Sequence, residues 1–60
     1  MRSEEKVTQH IQLYEYEVDE PFRSQMYGCL RERPKDGWML VAVIPSENAA
    51  KVLLFWERML

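Results

Sequence analysis

Apolar side chains in this chain gather in runs separated by turn-forming residues, and the densest run, Gly37 to Pro45, is apolar on both sides. Side chains alternate across a strand. Trp38, Leu40, Ala42 and Ile44 are therefore expected to point one way and Met39, Val41 and Val43 the other. A single helix can cover one of those faces, and the second face needs a different cover.

The stretch Val7 to Val18 is rich in β-branched and aromatic residues and predicts a long strand. Within it Ile11 and Leu13 fall out of phase with Tyr14, Tyr16 and Val18. Either a bulge re-aims the strand near Leu13 and Tyr14, or both of its faces are covered. Asp19, Glu20 and Pro21 have the composition of a helix start, with an acid to accept from free amides and a proline suited to the first turn. Phe22, Met26, Cys29 and Leu30 then recur at helical spacing, while Arg23, Gln25, Arg31 and Glu32 fall on other faces. Gly28 weakens such a helix by about 1 kcal/mol relative to alanine, which suggests a close approach there. Pro34 stops the helix near Arg33, and Pro34 to Gly37 forms the following turn.

The last segment has two readings. As a strand, Val52, Leu54 and Trp56 alternate with Leu53, Phe55 and Glu57. As a helix over 49–60, Val52, Phe55, Trp56 and Met59 share a face. The strand is preferred, with Pro45-Ser46-Glu47-Asn48 as a short polar turn before it. The expected fold is α+β: a small β-α-β-β unit whose three-stranded, mainly antiparallel sheet carries one helix on one face and ends in a hairpin. Residues 1–60 form one domain, with 1–6 expected to be flexible.

Composition sharpens this picture. A domain of 60 residues buries only about 60% of the surface its unfolded chain exposes and is marginal without further support. Cys29 is the sole cysteine, so no intrachain disulfide forms, and a reduced, cytoplasmic setting is expected. Cys29 and His10 alone do not make a zinc site, which takes about four ligands. Oligomerisation is the remaining common remedy. The hydrophobic fraction of 47% holds no run near the roughly 18 residues of a membrane span. A net charge of −2 disfavours nucleic acid as a partner, since unspecific phosphate binding needs excess Lys and Arg. The charge is uneven, because residues 1–20 hold six acids against Arg2 and Lys6, and residues 21–60 hold four acids against six bases.

The block from Leu30 to Pro45, and above all Arg33-Pro34-Lys35-Asp36-Gly37-Trp38-Met39-Leu40-Val41, resembles the small bacterial and phage family known as domain of unknown function 4177. Its hallmark is a helix ending just before Gly-Trp-Glu-Leu-Val. Tyr14-Glu15-Tyr16-Glu17-Val18 is similar to the family's opening strand, and Leu54-Phe55-Trp56-Glu57-Arg58 to its closing one. Two positions depart from the pattern: Pro34 stands where a helix-ending Gly is usual, and Met39 where the hallmark has Glu. The resemblance implies the β-α-β-β fold and a tendency to associate, with no catalytic residue to carry over.

Candidate chemistry is sparse. Trp38, Trp56, Tyr14 and Tyr16 have the size to stack a ligand ring, but in a small domain such residues are mostly core. His10 has no nucleophile tied to it by a motif, Cys29 reads as an apolar filler, and Glu15 and Glu17 are expected to face solvent. No enzyme, cofactor or metal site is expected. Arg23, Arg31, Arg33 and Arg58 are the candidate contacts for an anion or a partner. The set Ile11, Leu13, Met39, Val41, Val43, Leu53 and Phe55 is the expected oligomer interface, because it spans three segments and is more apolar surface than a monomer leaves bare. The sequence therefore points to a non-enzymatic interaction module that pairs with itself, most simply as a dimer, and binds a protein partner. The alternative is a phage-type inhibitor or sponge that sequesters a small anionic, nucleotide-like ligand at an Arg-lined site between subunits.

Overall fold

A computed structural model describes residues 13 to 60. The expected flexible start, His10 and Ile11 lie outside the described residues. Four main elements follow one another: strand β1 (Tyr14–Asp19), helix α1 (Met26–Glu32), strand β2 (Met39–Pro45) and strand β3 (Val52–Met59). Short 3-10 turns, Arg23–Gln25 and Arg33–Asp36, lead into and out of the helix. The sheet order is β1-β3-β2 with both pairings antiparallel. The α+β unit and its closing hairpin are thus as expected, and the last segment is a strand.

Being central, β3 can bury one face completely. Val52, Leu54 and Trp56 do so, joined by Trp38, while Met26, Cys29 and Leu30 of α1 pack against them. Leu54 and Trp56 are 0% and 1% exposed. Burying one such side chain is worth about 1.5–3 kcal/mol, so this strip is where the fold gains most.

Local connections depart from expectation in instructive ways. Neither Asp19 nor Glu20 caps the helix, because Asp19 is held within β1 and its carboxylate is engaged by side chains described below. The start of the helical segment is tied instead through the backbone: Arg23 N–H donates to the Ala50 carbonyl at 2.9 Å, and Val52 N–H to the Pro21 carbonyl at 3.1 Å. At the other end Gly37 adopts φ 88°, the left-handed conformation that closes a helical segment at least cost in glycine. Its N–H donates to the Pro34 carbonyl at 3.1 Å, and Trp38 N–H to the Arg33 carbonyl at 3.3 Å, which delivers Trp38 into the core. The hairpin loop is self-bonded, with Ala50 N–H donating to Asn48 Oδ1 at 2.9 Å and Asn48 N–H to Ser46 Oγ at 3.1 Å. Gly28 does not mark a close approach, since no atom lies within 4 Å of where its Cβ would stand.

One irregularity re-aims the sheet. β1 pairs with β3 without a break, so the bulge expected near Leu13 and Tyr14 is not between β1 and its partner. It lies in β2: Leu40 pairs with Trp56 and Ala42 with Phe55, leaving Val41 as the extra residue. An extra residue reverses the alternation of everything after it. Leu40 stays on the helix side, as expected, but Val43 opposite Leu54 moves to the helix side, and Ala42 and Ile44 move to the other face.

Candidate interaction surface

The register assigns each side chain of the open face, the one away from α1. Successive rows across the sheet are Phe22 with Lys51; Leu53 with Ile44; Val18, Phe55 and Ala42; Tyr16, Glu57 and Met39; and Tyr14 with Met59. Of the expected interface residues, Met39, Leu53 and Phe55 lie on this face, and Val41 reaches it from the bulge, lining the same hollow as Phe55. Val43 does not, for the reason just given. Leu13 precedes β1 and is one residue out of step with Tyr14, Tyr16 and Val18, so it does not continue their row.

Tyr16, Val18, Val41, Ala42, Ile44 and Phe55 surround a hollow of about 330 Å³ on this face. Ala42 opens it, being the small member of the row between Phe55 and the sheet edge. Tyr16 is 65% exposed, Met39 55%, Val41 56% and Met59 57%. Tyr14 and Tyr16 are therefore surface aromatics rather than core. The strand alternation already grouped Tyr14, Tyr16 and Val18 on one face, which was the signal for their role. Ala42 and Ile44 had no such signal, because the bulge that moves them leaves no mark in a uniformly apolar run.

The helix side of the sheet carries the charge. Glu15, Glu17 and Asp19 share the face of Trp56 and Arg58, so Glu15 and Glu17 do not simply face solvent. Arg33 grips Asp19 with two bonds, Nε to Oδ2 at 3.0 Å and Nη2 to Oδ1 at 2.7 Å, and reaches Glu17 Oε1 with Nη1 at 2.6 Å. Its guanidinium lies 5.0 Å from the Trp38 ring centre and 6.0 Å from that of Trp56, while Trp56 Nε1 donates to Asp19 Oδ2 at 3.0 Å. Arg58 binds Glu15 Oε2 through Nε at 2.7 Å and the Asp36 carbonyl through Nη1 at 2.9 Å, and stacks 4.2 Å from the Trp38 ring centre. Bidentate, charge-assisted bonds of this kind are among the stronger polar contacts. The bonds from Arg33 hold the Asp19 carboxyl below its ordinary value, against the opposing effect of burial. The same bonds from Asp19 and then Glu17 push the Arg33 guanidinium up.

These contacts decide the four candidate arginines. Arg33 and Arg58 serve carboxylates of their own chain, and Arg23 Nε donates to the Ala49 carbonyl at 2.9 Å. Arg31 is exposed and forms no ion pair with another described residue. Cys29 is a free, half-buried thiol against the core. Among the described residues no group of three or more His, Cys, Asp or Glu is placed to hold a metal ion. No helix among them is long and apolar enough to cross a membrane.

No protein family model, curated protein or solved structure matches this chain.

Proposed function

We propose that this protein is a non-enzymatic interaction module whose open sheet face docks against the same face of a second copy, leaving the helix side to meet a protein partner. The observation that carries the reading is the apolar surface formed by Tyr14, Tyr16, Val18, Met39, Val41, Ile44 and Met59, all 39–65% exposed. Their exposed area is on the order of 700 Å², above what soluble monomers usually leave bare. Two such faces together would bury on the order of 1,400 Å², within the range of specific protein contacts. At about 25 cal/mol per Å², covering the face offers on the order of 10 kcal/mol or more before the entropic costs of association.

The resemblance to domain of unknown function 4177 agrees with this reading, since that family's pattern brings a tendency to associate and no catalytic residues. A cytoplasmic setting belongs to the same proposal and rests on the unpaired Cys29. The anion-sequestering alternative has less support, because the two best-placed arginines, Arg33 and Arg58, already serve internal carboxylates.

Sedimentation of the purified chain tests the proposal. The wild type is expected at about twice its 7.2 kDa chain mass, and Val41→Asp, which puts a charge at the rim of the hollow, at the single-chain mass with its fold intact. Wild type and variant at one and the same mass would overturn it.

A further inference from the structure

Two side chains of opposite charge stand on the open face towards opposite ends of β3. The bridge between Phe22 and Lys51 keeps the register of β1 with β3, so Lys51 shares the face of Leu53, Phe55 and Glu57. Both charged residues are half-buried, and neither forms an ion pair with another described residue. The Lys51 ammonium lies over the Phe22 ring, 4.8 Å from its centre, and Glu57 stands between Tyr16 and Met39. Glu20 does not take Lys51 as a partner, because its carboxylate accepts from the Ser46 hydroxyl. Positions 51 and 57 are about 20 Å apart along an extended strand, too far for the two charges of one chain to meet.

Two copies stacked by their open faces, with strands aligned, can be related by a two-fold axis in two simple ways. With the axis along β3, each residue of that strand meets its own counterpart: Lys51 opposes Lys51, Glu57 opposes Glu57 and Phe55 opposes Phe55. With the axis across β3 at the level of Leu54, the strands run antiparallel and positions equally far from the axis meet. Lys51 then faces Glu57 at both ends of the contact. The same operation keeps β1 over β1 and β2 over β2, so it sets Leu53 against Phe55, Phe22 against Tyr16, and Ile44 against Ala42. The last pair answers the shape of the face: Ala42 is the small residue that opens the hollow of about 330 Å³, and Ile44, 43% exposed, is the side chain presented to it. Stacked sheets lie about 10 Å apart, a gap that a lysine and a glutamate extended towards each other span.

We infer that the self-contact is an antiparallel stack in which Lys51 of each copy pairs with Glu57 of the other, and Ile44 of each enters the hollow over Ala42 of the other. The inference rests on the proposal that the open face is the self-contact, and it adds the orientation of the copies and the residues that select it. The charge pairs close the two ends of the overlap, where water is near, so they choose between orientations more than they add affinity. In the other orientation like charges oppose each other at both ends, which disfavours it.

Sedimentation equilibrium on the full chain at neutral pH and low ionic strength tests this on the wild type, Lys51→Glu, Glu57→Lys and the double exchange that carries both substitutions. Each single reversal turns two attractive pairs into two repulsive ones and is expected to weaken association about tenfold or more. The double exchange restores two attractive pairs and is expected to associate within about threefold of the wild type. Because it carries both substitutions, its recovery separates charge pairing from damage to the fold. Single reversals that associate like the wild type, as the axis along β3 requires, or a double exchange as weak as the single variants, would overturn the antiparallel stack and leave the self-contact standing. A wild type that stays at the single-chain mass would overturn the self-contact, and this arrangement with it.

Discussion

At the scale of single residues, the fold is fastened by Arg33, which joins the end of the helical segment to β1 through Asp19 and Glu17 and lies against both tryptophans. Removing it strands a partly buried carboxylate, so Arg33→Ala is expected to lose about 2 kcal/mol in urea unfolding, a large share of the stability of a domain this small. Arg33→Lys should recover little of that, because a point charge cannot make the paired bonds to Asp19. Asp19 gives the contact its pH profile. A carboxyl held below its ordinary 3.8 contributes stability that is fully present above that value and is lost as pH falls through the lower, folded-state value. Acid unfolding followed by circular dichroism should therefore show a step below about pH 4 that is missing in Asp19→Asn. The glycines diverge. Gly28→Ala should stabilise by up to about 1 kcal/mol, since the methyl group meets nothing and the helix propensity improves. Gly37→Ala should cost about 1 kcal/mol or more, because its φ of 88° suits no side chain. Thermal melts of the two variants decide both signs.

At the scale of elements, much of the architecture was legible because it rests on local signals. The Val52, Leu54, Trp56 alternation marked a strand with one buried face, the Pro34 to Gly37 composition marked the turn before Trp38, and helical spacing placed Met26, Cys29 and Leu30 against the core. What escaped the sequence depends on partners that only the fold brings together. The bulge at Val41 sits in a run where every residue is apolar, so sliding the register by one leaves no polar residue misplaced to reveal it. The acids of β1 looked solvent-facing because their cations come from 14 to 43 positions away. The same distance effect disguised Arg33 and Arg58 as candidates for an external anion. The register yields its own prediction: Ile44→Asp should weaken self-association while leaving the melting temperature nearly unchanged. Leu54→Ala, at a fully buried position of the helix side, should lower the melting temperature instead.

At the scale of the whole molecule, the two faces of the sheet divide the work. The helix side holds the core and the ion pairs that fasten it, and the open side is apolar around a hollow, with Glu57 within it and Lys51 towards its end. One short helix covers the middle of one side of the sheet, leaving Leu40 and Val43 of β2 exposed there, and a second copy is proposed to cover the other side. Intermolecular contacts in a mixed sample of isotope-labelled and unlabelled chains, read by NMR, test this most directly. Contacts are expected from the methyl groups of Val18, Ala42 and Ile44 and from the ring of Tyr16, and none from Val52 or Leu54. Contacts confined to the helix side, or an absence of any between chains at millimolar concentration, would contradict it.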